Sequence, residues 1–316
     1  MKILITGGAG FIGSHLAGRL LEEGKEVVVL DDFNDYYNPK WKEENTEAYK
    51  KNKNFKLFRG DILDETLVDE ILKTERVETI IHLAARAGVR PSMQNPALYQ
   101  KVNVEGTKVI LEAARKHGIK NIILASSSSV YGNQKKMPCS EDDSVDNPAS
   151  PYAATKREME LLAKTYHNLY STNIACLRFF TVYGEGGRPD MALYIFMEKI
   201  ANGEEIQKFG DGSSMRDYTY IGDIVDGITR CIGKNFGYEI INLGNNSPVS
   251  LNDFIAAIEK ATEKKAKIKE MPKQEGDVEK TWADIAKAKR LLGWEPKTLL
   301  EENLAKIVLW YKKYRL

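Results

Sequence analysis

Seven residues near the N-terminus, Gly7-Gly8-Ala9-Gly10-Phe11-Ile12-Gly13, constrain the fold more than any other stretch. They follow the apolar run KILIT without a spacer and lead into SHLAGRLLEEG, whose apolar residues recur at helical spacing. A chain that passes so abruptly from a buried strand to a helix needs glycine for three reasons. The backbone must turn tightly, it must approach a pyrophosphate closely, and the helix must pack on the strand with its N-terminus facing the phosphates.

The pattern alone is weak, and its surroundings strengthen it. EVVVLDD, NFKLFRGD, ETIIHLA and NIILASS are further short apolar runs, separated mostly by helical stretches, and NIACLRFF follows at 173 to 180. That alternation predicts a Rossmann-type doubly wound α/β domain on a parallel sheet. Asp31 and Asp32 end the second strand, where an acid accepts hydrogen bonds from the adenosine ribose and repels a 2′-phosphate, which favours NAD over NADP. Asp61 and Ile62, after the third strand, are placed to meet the adenine. The cofactor set is therefore expected to include Gly7, Gly10, Phe11, Ile12, Gly13, Asp31, Asp32, Asp61 and Ile62.

Beyond Val130 the chain turns polar through PCSEDDSVDNPASP, a predicted surface loop, and a helix is expected from about Pro151. After Gly184 the alternation loosens. We expect a dinucleotide domain over 1–180, with about 217–243 returning to it, and a smaller mixed α/β C-terminal lobe over 181–216 and 244–316. Ligands in such folds lie where the strands' carboxyl ends meet the second lobe.

Composition excludes more than it suggests. The 316 residues carry a net charge of +1 with lysine and arginine interspersed among acids, which offers no nucleic-acid surface. No apolar run is long enough to cross a membrane, and the N-terminus lacks a signal-peptide layout, so a cytoplasmic protein is expected. Cys139, Cys176 and Cys231 are odd in number and read as reduced, buried thiols. The four histidines are dispersed, and no metal site is expected.

Two stretches carry chemistry. Tyr152-Ala153-Ala154-Thr155-Lys156 sets a phenol and an ammonium four residues apart, on one helical face. A cation there is expected to lower the phenol's pKa and make Tyr152 a base near neutral pH. Such pairs are common on ordinary helices. The run ASSSSVYG changes the odds, because its hydroxyls end the fifth strand, where they would meet a nicotinamide and a substrate.

GGAGFIG, the serines before VYG, and YAATK together resemble the extended short-chain dehydrogenase/reductase family acting on nucleotide sugars. The likeness continues through IHLAARAGVR, VNVEGT, RFFTVYG, GDGSSMRDYTYIGDIVDGI and EGDVEKTWADIAKAKRLLGW, nearly the whole chain. It implies tightly held NAD, further cofactor contacts from Leu83, Ala84 and Ala85, and reversible hydride transfer at C4 of a UDP-sugar. Tyr152 would take the C4 hydroxyl proton, Ser127 would bond the same oxygen, and Lys156 would hold the nicotinamide ribose. Arg216 would meet the diphosphate, and Arg90 and Arg188 would also contact substrate. A homodimer built on helices at about 95–117 and 151–170 is a further implication.

Within that family, dehydratases carry an Asp-Glu pair in the serine region and decarboxylases a Glu just before VYG. Here those places are hydroxyls, with Ser129 before VYG, which leaves 4-epimerisation. DDFNDYYNPKWKEEN, AGVR, RFFTVYGEGGRPDMAL and MPKQEGD resemble UDP-glucuronate 4-epimerases more than UDP-galactose 4-epimerases. The last stretch brings Gln274 and Asp277 into the substrate set. Oxidising C4 of a glucuronate makes a β-keto acid prone to losing CO2, so an epimerase must hold the carboxylate with donors. Ser128, Ser129 and Thr181 would supply them without adding negative charge. The alternatives are a UDP-glucose/UDP-galactose 4-epimerase, then a UDP-glucuronate decarboxylase, then a non-catalytic NAD-binding sensor.

Overall fold

The computed structural model describes residues 1–273 and 278–315. The six apolar runs read from the sequence, joined by a segment late in the chain, become the strands of one sheet. They are β1 (Lys2–Thr6), β2 (Glu26–Asp31), β3 (Phe55–Arg59), β4 (Thr79–His82), β5 (Asn121–Ser127), β6 (Asn173–Phe179) and, late in the chain, Tyr238–Leu243. The order across the sheet runs from Tyr238–Leu243 through β6, β5, β4, β1 and β2 to β3, and every pairing is parallel. The direction of winding reverses between β1 and β4, which opens a crevice at their carboxyl ends.

Both faces of the sheet's central strands are buried, so those strands are apolar at consecutive positions, whereas the edge strand β3 exposes Lys56 and Arg59. Ile3, Ile5, Val27, Val29 and Leu177 face a core built with the helices Phe11–Glu22 and Ile221–Cys231. Leu4, Val28, Leu30, Ile122 and Cys176 face the opposite core, with the helices Glu65–Glu75, Gly106–Lys116 and Pro151–Tyr170. Trp294, fully buried, plugs the first core and donates its indole N–H to Asp223 O at 2.9 Å.

After β6 the chain leaves the sheet. β7 (Thr181–Tyr183) and β9 (Met215–Tyr220) pair in parallel, β11 (Pro248–Ser250) joins β9 antiparallel, and β8 (Glu205–Phe209) pairs with β12 (Lys267–Met271). The strand Tyr238–Leu243, β10 in chain order, returns to the large sheet. Residues 217–220 are hydrogen-bonded into the three-stranded sheet, and the helix Ile221–Cys231 that follows packs into the first core of the large sheet. A third core gathers Tyr194, Phe254, Leu304 and Ile307 from the helices Ala192–Asn202, Leu251–Thr262 and Leu300–Tyr314.

Two segments differ from the sequence reading. The helix expected over 95–117 is interrupted by a π-helical turn, Gln100–Glu105. The widened turn carries Asn103 inward, where its amide bonds both the Arg86 backbone and Thr155 Oγ1. The loop after Val130 is not merely surface. Cys139, Val145 and Ala283 form a small core with Tyr131 and Phe180, and the Asn242 amide donates to Cys139 O.

Candidate active site

The crevice at the strands' carboxyl ends is a cavity of about 390 Å³. At one end the glycine turn forms its floor. Gly7 sits at φ 70°, and a Cβ on Gly13 would lie 2.3 Å from Gly7 O, so both positions exclude any side chain. Gly10 caps the helix Phe11–Glu22 with no side-chain bond, and Phe11, Ile12 and Gly13 line the cavity behind it. An uncapped N-terminus of a twelve-residue helix, facing a cavity over bare backbone, suits a pyrophosphate.

Asp31, Asp32, Asp61, Ile62, Leu83, Ala84 and Ala85 line the same end. Asp31 does more than wait for a ribose. One oxygen accepts Ala9 N–H at 3.0 Å and the other Phe33 N–H at 2.9 Å, so this carboxylate pins the glycine turn to the end of β2. Burial pushes its pKa above the ordinary range, against those two amides and Lys42. Sequence reasoning missed Lys42, which is 4% exposed, donates to Asn34 O at 2.9 Å and also lines the cavity. It offsets two adjacent acids that would otherwise repel each other. Its placement eleven residues beyond Asp31 carries no motif.

At the other end the hydroxyls converge. β5 delivers Ser127 at its last residue, and Ser127 Oγ then accepts Ser129 N–H at 3.2 Å, capping the short 3₁₀ turn Ser128–Tyr131. That turn brings Ser128 and Ser129 to the cavity wall, which Thr181 from the start of β7 also lines. Ser150 caps the helix Pro151–Tyr170 by accepting Ala153 N–H, so Tyr152 and Lys156 occupy its first turns, and both reach the cavity. Tyr99 packs edge-on against Tyr152 at 6.2 Å. Arg188 enters from the GGRPD loop, its guanidinium paired with Asp190 at 3.0 Å.

The electrostatics correct one expectation. Lys156 does not depress Tyr152, because its ammonium is turned to Ala125 O at 2.6 Å. Burial pushes the Tyr152 phenol above its ordinary pKa, and the opposing influences are its hydrogen bond with Ser127 and the charge of Arg188. Burial also pulls Lys156 down to about 8, against the pull of Glu160.

Not every expected residue gathers here. Arg90 is exposed on the helix Val89–Gln94, with its guanidinium 5.5 Å from the Phe209 ring centre and outside the cavity wall. Arg216 also stands outside that wall, held by the Met215 carbonyl at 2.9 Å at the start of β9. Gln274 and Asp277 lie outside the described residues. Among the described residues no cluster suited to a metal ion is present and no helix is long and apolar enough to cross a membrane. Cys139, Cys176 and Cys231 are buried free thiols.

Comparison with known proteins agrees with this geometry. A family model described as GDP-mannose 4,6 dehydratase matches residues 4–307. A UDP-glucuronate 4-epimerase of Thermodesulfobacterium geofontis is 46% identical over 98% of this chain and 96% of its own. The crystal structure of a Bacillus cereus UDP-glucuronic acid 4-epimerase, in complex with UDP-glucuronic acid and NAD, superposes with a TM-score of 0.94 at 36% identity over 99% of each chain. A Thermotoga maritima UDP-glucose 4-epimerase with UDP-glucose gives 0.91 at 34% identity, also over 99% of each chain.

Proposed function

Because the chain belongs to the extended short-chain dehydrogenase/reductase family of nucleotide-sugar enzymes, we propose that it interconverts UDP-glucuronate and UDP-galacturonate by NAD-dependent 4-epimerisation without decarboxylation. One observation carries this reading. The carboxylates lining the described cavity, Asp31, Asp32 and Asp61, all stand at the glycine-turn end, whereas the end holding Tyr152 is walled by Ser127, Ser128, Ser129 and Thr181. Dehydration needs an acid and base at the reacting sugar, and this end offers hydroxyls instead. Hydroxyl donors can hold a uronate carboxylate in its charged form, which disfavours loss of CO2 from the β-keto acid.

The residues divide the work accordingly. Tyr152 takes the C4 hydroxyl proton and later returns it, while Ser127 bonds the same oxygen. Bound NAD supplies the acceptor, and then the donor, of the C4 hydride. Lys156 holds the nicotinamide ribose, and Gly7, Gly10, Phe11, Ile12 and Gly13 take the pyrophosphate. Arg188 steadies the sugar from the second lobe. Between the two half-reactions the 4-keto sugar turns about its diphosphate linkage and presents the other face. Arg90 and Arg216 are assigned to the UDP moiety beyond the cavity wall, with Gln274 and Asp277 completing the substrate set.

The dinucleotide half is assigned to 1–180 with about 217–243, and the sugar half to 181–216 and 244–316. A homodimer is supported by Leu161 and Leu169, which are 53% and 66% exposed on the helix Pro151–Tyr170. Three buried free thiols support a cytoplasmic location. The test offers UDP-glucuronate and UDP-glucose separately to the NAD-loaded protein and identifies the products and any CO2. UDP-galacturonate without CO2 is expected. UDP-galactose from UDP-glucose, with UDP-glucuronate untouched, overturns the uronate assignment.

A further inference from the structure

Behind the catalytic side chains lies a charged cluster that the proposed mechanism does not use. Glu160 is fully buried, one helical turn beyond Lys156. One of its oxygens accepts Ser126 Oγ–H at 2.6 Å and Arg178 Nε–H at 2.8 Å, and the other accepts Arg178 Nη2–H at 2.9 Å and Arg157 Nη1–H at 3.2 Å. Arg178, 1% exposed, stands on β6 directly opposite Ser126 in the parallel register, as Phe179 stands opposite Ser127. Its guanidinium also lies 4.7 Å from the Tyr131 ring centre, on the serine turn, and its Nη1 has no hydrogen-bond partner.

A buried ion pair is a poor source of stability, because desolvation offsets most of the attraction. Its geometry does something else. From the Glu160 carboxylate the bonds run through Ser126 Oγ to the strand end, through the adjacent Ala125 carbonyl to Lys156 Nζ, and back along one helical turn to Glu160. This closed circuit ties the strand that ends in Ser127 to the helix that begins with Tyr152 and Lys156. The carboxylate also faces two guanidiniums and the Lys156 ammonium, so it supplies the negative charge of an otherwise cationic cluster.

We propose that Glu160, together with Arg178 and Ser126, is a positioning residue for the epimerisation: it fixes the end of β5 against the catalytic helix and lends its charge to the Lys156 ammonium. The role rests on the epimerase reading for its kinetic consequence, whereas the effect on Lys156 does not. The titratable groups facing Lys156 are Glu160 on its own helix, the Cys176 thiol on β6 and the His82 imidazole on β4. Burial pulls His82 down to about 3 and pushes the thiol up, so both are neutral over the working range.

The test replaces the pair with apolar residues, Glu160→Leu with Arg178→Met, so that neither the carboxylate nor the Arg178 guanidinium is left in the interior without the other. Ser126→Ala, which keeps the ion pair, is the second variant. In NAD-loaded enzyme turning over UDP-glucuronate, the double variant is expected to lose about 10- to 100-fold in kcat through misplacement of reacting groups. KM is expected to change by less than about threefold, because the pair does not touch substrate. Ser126→Ala is expected to lose severalfold in kcat.

A readout independent of any sugar follows the Lys156 Cε resonance against pH in lysine-labelled protein, assigned with Lys156→Met. Loss of the carboxylate is expected to lower the titration midpoint by about one pH unit, and Ser126→Ala to leave it in place. A folded double variant with an unmoved midpoint and kcat within twofold of the parent overturns the proposal. Should the double variant fail to fold, parental kcat in Ser126→Ala overturns it. If the unaltered protein turns over neither UDP-sugar, the functional reading fails, and the midpoint of the double variant decides the role of Glu160.

Discussion

Replacing Lys156 by methionine separates stability from activity. The side chain is 4% exposed, and burial brings its pKa from 10.5 to about 8 even though Glu160 pulls the other way. Each pH unit of such displacement corresponds to about 1.4 kcal/mol, so at pH 7 holding the ammonium in this site costs the fold about 3 kcal/mol. Methionine has a similar length and no charge. It forfeits the bond to Ala125 O and leaves that carbonyl without its donor, a loss of about 1–2 kcal/mol. The variant is therefore expected to be more stable than the parent by about 1–2 kcal/mol at pH 7, while kcat falls at least about 100-fold.

The pH dependence checks the cause. In the folded chain Lys156 loses its proton near pH 8, and in the unfolded chain near the ordinary 10.5. Between those values the unfolded state binds more protons, so the parent gains stability as pH rises, and that gain is lost again as pH falls through 8. The methionine variant lacks the gain, so its advantage shrinks above pH 8 and reverses toward pH 10. Urea unfolding at several pH values reads both curves. A variant less stable than the parent at pH 7 by more than about 1 kcal/mol, or parallel curves from pH 7 to 10, would refute the reasoning.

Three further outcomes are expected. Tyr152→Phe removes the proton carrier and should lower kcat by about 10²- to 10⁴-fold with NAD still bound, checked by absorbance and turnover; parental turnover would remove Tyr152 from the mechanism. Ser128→Ala with Ser129→Ala, and more strongly Ser129→Glu, should release CO2 from UDP-glucuronate, because donors to the carboxylate are lost or replaced by a like charge; trapping of labelled CO2 measures it, and UDP-galacturonate alone at parental rates would sink the carboxylate clamp. Gly13→Ala sets a methyl 2.3 Å from Gly7 O and 2.6 Å from Gly8 Cα, both backbone atoms that cannot yield cheaply, so protein purified from this variant should carry little NAD.

Much of this molecule is local information. Six apolar runs, a glycine turn between strand and helix, and acids at strand ends suffice for the doubly wound sheet, because each follows from short-range periodicity and from the backbone freedom glycine alone provides. Tyr152 and Lys156 share a face by helical spacing, and Ser127 reaches the same cavity because β5 ends there. What pattern could not supply is pairing between distant segments. The π turn that brings Asn103 to Thr155, and the choice of β6 as the neighbour of Tyr238–Leu243 in the large sheet, depend on contacts that no local spacing encodes.

The division is sharpest at the serine run. The sequence by itself determined that hydroxyls, and no carboxylate, end the central strand, since side-chain chemistry belongs to the residue. Only the tertiary structure decided what those hydroxyls and their neighbours do: Ser126 turns to Glu160, Ser127 caps the turn and meets Tyr152, and Lys156 reaches Ala125 O instead of the phenol. Direction and burial set these roles, and both arise when elements far apart in the chain exclude water from the same space.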